Sequence, residues 1–79
     1  MSNATFNFLR GRNRRGESIP QMRDRIRTQL AKLIKMVKPS ELGDLAGMIR
    51  EFKTYESTNA PEVLRDIDRR LETRNWAMQ

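Results

Sequence analysis

Neither cysteine nor histidine occurs in these 79 residues. Their absence removes disulfide staples, thiolate nucleophiles, the commonest general base and nearly all zinc-site chemistry together. The sequence therefore predicts a protein that is not an enzyme and that needs no metal or cofactor. A cysteine-free chain also fits a reducing compartment, and a cytoplasmic location is expected. Aromatic residues are scarce: Phe6, Phe8, Phe52, Tyr55 and Trp76, of which the last three read as core or core-edge residues. No apolar run approaches the roughly 18 residues that span a bilayer, and the cluster at 5–9 is too short for the core of a signal peptide.

A chain this short makes one domain at most and hides only about 60% of its unfolded surface on folding. Additional stability would have to come from a partner or from self-association, with a homodimer as the simplest form.

Charge is unevenly placed. Residues 1–38 hold ten Arg or Lys against two acids, Glu17 and Asp24, whereas residues 39–79 hold six against eight. The halves carry +8 and −2, which gives the net +6 of the whole chain. Such asymmetry points to an anionic partner for the N-terminal half.

Apolar periodicity predicts an all-α fold: a small three-helix bundle (residues 18–79) preceded by a flexible, Arg-rich N-terminal arm (residues 1–17). In the arm, two glycines and four arginines between Thr5 and Gly16 leave no helical period. Ser18 and Gln21 have capping-box spacing, and Pro20 falls in the first turn, where its missing N–H leaves no bond unmade. Ile19, Met22, Ile26, Leu30, Leu33, Ile34 and Val37 then recur at three- and four-residue steps. Lys38-Pro39 ends the pattern, because a residue before proline avoids the helical region.

The first helix is thus expected over about 19–38, a second over 41–55 and a third over 60–75. Ser40, Glu41 and Asp44 place polar and acidic groups at the start of the second, whose apolar stripe is Leu42, Leu45, Ile49 and Phe52. Gly43 and Gly47 each cost about 1 kcal/mol relative to alanine inside a helix. Their spacing is read as a close helix contact, inside the bundle or across a dimer. Asn59 with Glu62 repeats the capping-box logic, and Val63, Leu64, Ile67 and Leu71 form the buried stripe of the third helix.

Residues 11–16 have the glycine gap of a phosphate-binding loop, but Glu17-Ser18 follows where Lys and Ser or Thr are required, so the match is accidental. Asp66, Asp68, Glu62 and Glu72 stand three or four residues from Arg65, Arg69 and Arg70, a spacing for surface ion pairs.

Two basic elements carry the functional expectation. Arg10, Arg12, Arg14 and Arg15 in the arm present planar forks that bind phosphate bidentately. On the first helix Arg23, Arg25, Arg27, Lys32, Lys35 and Lys38 spread over the arc opposite Ile26, interrupted only by Asp24. Arm and helix would form one phosphate track on nucleic acid, with little base specificity. Six to ten phosphate contacts imply an affinity loss of about 10³ to 10⁵ between 50 and 200 mM salt.

Two alternatives use the same residues differently. An adaptor or inhibitor would dock an acidic protein through the basic helix, or anchor Phe6 to Leu9 in a partner's groove. A peripheral protein would insert Phe6, Phe8 and Leu9 at an anionic membrane surface beside the arginines. Glu41, Asp44, Glu51 and Glu56 also offer an acidic surface that would meet the first helix of a second copy.

Overall fold

The computed structural model describes residues 16–79, which form three helices, α1 (Ile19–Met36), α2 (Leu42–Thr58) and α3 (Pro61–Thr73), in an all-α bundle. The α1 start follows the sequence closely. Ser18 Oγ accepts the Gln21 N–H at 3.2 Å, Gln21 Oε1 accepts the Ser18 N–H at 2.9 Å, and Pro20 sits in the first turn.

The helix stops at Met36, two residues short of the expected end. Val37 and Lys38 are both extended, with ψ of 158° and 155°. Proline at 39 forces this on Lys38. A 3-10 turn over Pro39–Glu41 then leads into α2. No side chain caps the α2 start, so the expected role of Ser40 is not realised, although Asp44 does lie in the first turn.

At its other end α2 runs three residues past the expected boundary, to Thr58. Asn59 ends it in the left-handed conformation, φ 59°, with its N–H donating to the Tyr55 carbonyl. Asn59 is therefore the terminator of α2 and not the cap of α3, whose N-cap is Ala60 with no side-chain bond. Asparagine tolerates positive φ better than most residues, and that property decided its role.

Past α3 the chain does not stay helical to residue 75. Residues 74–79 turn back along the α1–α2 connection, where the Lys38 N–H donates to Ala77 O at 2.8 Å and the Gln79 N–H to Met36 O at 2.9 Å. Val37 and Met78 face each other as an antiparallel bridge. The extended backbone at 37–38 would otherwise have lacked partners.

The core takes Ile26, Leu30, Leu33 and Val37 from α1 and its exit, and Leu45, Met48, Phe52 and Tyr55 from α2. Leu64, Ile67 and Leu71 of α3 complete it, with Trp76 closing one end. Ile34 and Leu42, expected inside, are instead 46% and 44% exposed. Each sits at the edge of its apolar stripe, where a third neighbouring helix would be needed to cover it. Val63 and Ile49 are only partly buried, and Gln29 is buried with the apolar set.

Candidate functional site

The ion pairs sort the surface into three seams. Between α1 and α3, Arg25 donates to both Asp68 oxygens at 2.9 and 3.1 Å and to both Glu17 oxygens at 2.8 and 2.9 Å. Arg25, Glu17 and Asp68 side chains are only 14%, 9% and 16% exposed. The hydrogen bonds to Glu17, and next those to Asp68, hold the Arg25 pKa above its ordinary range against the opposing effect of burial. Arg25, placed by sequence among the outward cations, is thus a structural clasp. Glu17, expected in the arm, is part of the folded body. Gly16 precedes it at φ +83°, a conformation glycine adopts without strain.

Between α2 and α3, Arg70 bridges Glu51 and Asp66, and Arg69 pairs with Asp66 at 2.7 Å. Arg74 joins Glu41 and, at 2.8 Å, Asp44, while its guanidinium lies 4.2 Å from the Trp76 ring centroid. The Ala77 N–H donates to Glu41 at 3.3 Å. Beside this seam lies an open groove of about 370 Å³, lined in part by Gly43, Gly47, Arg70 and Arg74. A Cβ on either glycine would meet nothing within 4 Å. The close packing inside the bundle that their spacing suggested is absent: both glycines line the open groove.

The third region is the face shared by α1 and α2. Arg27 of α1 reaches Glu56 of α2 at 3.0 Å, which fixes the sides on which the helices meet. Ile34 follows Arg27 by seven residues and so falls on nearly the same line of α1, while Lys38 stands on the extended link just past the helix end. On α2, Leu42, Ile49 and Glu56 form one seven-residue line, with Lys53 beside it and Arg50 one step further out.

Lys35, Lys38, Arg50 and Lys53 are exposed and make no ion pair among the described residues. Of the other expected track residues, Lys32 is exposed, Arg23 is paired with Asp24 at 3.1 Å and Arg27 with Glu56. All four side chains of these two pairs, Arg23, Asp24, Arg27 and Glu56, remain at least partly in solvent. Exposed pairs of this kind contribute at most about 1 kcal/mol and exchange readily for a phosphate.

Arg50 and Lys53 were not among the expected site residues. Glu51 and Glu56, the acids close to them in sequence, pair instead with Arg70 and Arg27. Glu41, Asp44, Glu51 and Glu56 each face an arginine of the same chain. Arg10, Arg12, Arg14, Arg15, Phe6, Phe8 and Leu9 lie outside the described residues.

Among the described residues no cluster of three or more acids is placed to hold a metal ion, and no helix is long and apolar enough to cross a membrane. Phe52, Tyr55 and Trp76 are all buried, so none offers a ring for stacking on a base. No family model, curated protein or solved structure matches the chain.

Proposed function

We propose that this is a non-enzymatic nucleic-acid-binding protein that engages the phosphate backbone through the α1–α2 face. The observation that carries the reading is the sorting of charge. Along the α1–α3 and α2–α3 seams, Arg25, Arg70 and Arg74 are each satisfied by two carboxylates. On the α1–α2 face, Lys35, Lys38, Arg50 and Lys53 have no such partner among the described residues.

A solvated helical surface ordinarily interleaves both signs. Three unmatched cations on two adjacent helices, with Lys38 on the link between them, instead create a local positive potential that attracts a polyanion. Lys35, Lys38, Arg50 and Lys53 would meet phosphate oxygens directly, whereas Lys32, seven residues from Arg25, lies on the α3 side of α1 and outside this face. Arg23 and Arg27 would exchange Asp24 and Glu56 for phosphate. Arg10, Arg12, Arg14 and Arg15 extend the same charge in sequence. With every aromatic ring of the described residues buried, the contacts favour backbone over bases, and hence weak sequence preference.

The test compares binding of a labelled duplex and a labelled single strand, by fluorescence anisotropy, to the full chain and to K35A/K38A/R50A/K53A. The reading predicts that the quadruple variant loses affinity for both, about equally across sequences, while R65A on α3 retains it. Equal affinity of the wild type and the quadruple variant would refute it.

A further inference from the structure

Phosphate binding leaves one feature of the α1–α2 face unused. Ile34 and Leu42 are the two large apolar side chains that the described residues leave exposed, and they belong to different helices. Ile34 stands in the last turn of α1 and Leu42 opens α2, so both lie at the end of the hairpin where the chain turns over Pro39–Glu41. Both also lie on the lines that face across the helix pair: Ile34 is seven residues from Arg27, Leu42 seven from Ile49 and fourteen from Glu56, and Arg27 and Glu56 are bonded. Exposed Pro39 lies three residues before Leu42 and exposed Ala46 one helical turn after it.

Single exposed aliphatic residues are ordinary. Two on facing lines of adjacent helices, with Lys35, Lys38, Arg50 and Lys53 at the margin, make a surface with an apolar centre and a cationic rim. The acids nearest this end, Glu41 and Asp44, are held by Arg74.

We propose that this face seats on an anionic phospholipid surface, with Ile34 and Leu42 entering the boundary between headgroups and acyl chains and the cations meeting headgroup phosphates. Charge complementarity selects the occupant: the rim needs a surface dense in negative charge, and the centre needs an apolar layer directly beneath it. A bilayer containing anionic lipid supplies both over an extended plane. A nucleic-acid backbone supplies only the first. The inference shares its cations with the nucleic-acid reading but rests on Ile34 and Leu42, so either can fail alone.

The experiment is cosedimentation of the full chain with vesicles of phosphatidylcholine alone and of phosphatidylcholine mixed with phosphatidylserine, at low salt. The expected result is binding to the mixed vesicles only, weakened roughly tenfold in I34S/L42S. K35A/K38A should weaken it too. Duplex affinity should be unchanged in I34S/L42S and reduced in K35A/K38A, and the circular-dichroism melt of each variant reports folding.

Because the chain has no cysteine, I34C takes an environment-sensitive dye at one position, which covers the case in which the serine variant does not fold. Its emission should shift to the blue on mixed vesicles, whereas a dye on E62C of α3 should not respond. No binding to mixed vesicles, equal binding to both vesicle types, undiminished binding by folded I34S/L42S, or a silent dye at I34C would each overturn the proposal. A concentration-dependent mass that I34S/L42S abolishes, without vesicle binding, would assign the patch to a second copy and overturn it as well.

Discussion

Arg25 and Asp68, 43 residues apart in sequence, are joined by two hydrogen bonds that tie α1 to α3. The guanidinium also holds Glu17, so one cation satisfies two largely buried carboxylates. Removing it leaves both acids in poorly solvated sites. R25A should destabilise the fold by about 2–3 kcal/mol, read from the urea midpoint, with little effect on polyanion affinity. R25K should recover only part of the loss, because an ammonium lacks the planar fork that spans both partners. A variant of ordinary stability that binds nucleic acid poorly would move Arg25 back to the binding face.

Trp76 anchors the returning C-terminal segment, buried at the end of the core beneath Arg74. W76A should cost about 3–5 kcal/mol, a large share of the roughly 4–12 kcal/mol expected for a chain of this size. Chemical denaturation monitored by circular dichroism measures it. A change below about 0.5 kcal/mol, the level of an ordinary surface substitution, would contradict the packing described for residues 74–79.

Gly47 lies inside α2 beside open space. G47A should therefore stabilise the isolated protein by about 0.5–1 kcal/mol, and G43A by less, since Gly43 is in the first turn. Thermal unfolding at low protein concentration decides the sign. Destabilisation that grows with protein concentration would instead mean that a second copy packs against the glycines.

Asp66 accepts hydrogen bonds from Arg69 and, in a second pair, meets Arg70. The Arg69 bond above all holds its carboxyl below the ordinary aspartate range, against opposing desolvation and with help from the charge of Arg70. A carboxylate with a depressed folded pKa stabilises the fold above its unfolded pKa, and that contribution disappears as pH falls through the folded value. R69A should move the Asp66 midpoint upward in a carboxyl NMR titration. An unmoved midpoint would show that Arg69 is not the cause.

What the sequence made legible was local. The Ser18–Gln21 cap, the proline stop at 39 and the buried centre of the α1 stripe at Ile26, Leu30, Leu33 and Val37 are encoded within a few residues and appear where the spacing placed them, to within two positions at the helix end, whereas Ile34 of the same stripe is exposed. The misread features depend on residues distant in sequence. Nothing near Arg25 announces Asp68, and nothing near Val37 announces Met78.

Asn59 carried two competing local meanings, a cap for α3 and a left-handed stop for α2, and the second prevailed because α2 continued to Thr58. Gly43 and Gly47 signalled a contact by spacing alone, which cannot tell an occupied surface from an open one. The proposed binding face was half legible. Lys35 and Lys38 stood out as one-signed charge in the first half of the chain, whereas Arg50 and Lys53 lie in an acid-rich stretch whose Glu51 and Glu56 serve Arg70 and Arg27, a pairing that depends on residues distant in sequence.

The central claim, that the unmatched cations of the α1–α2 face contact phosphate, is tested most directly by the dependence of duplex affinity on salt between 50 and 200 mM. Each phosphate contact contributes a slope of about −0.9 in log affinity against log salt. The wild type and K35A/K38A/R50A/K53A should then differ in slope by roughly four contacts, and the variant should lose most of the salt sensitivity that the folded domain contributes. Parallel lines for the two proteins would show that the α1–α2 face does not touch the phosphates.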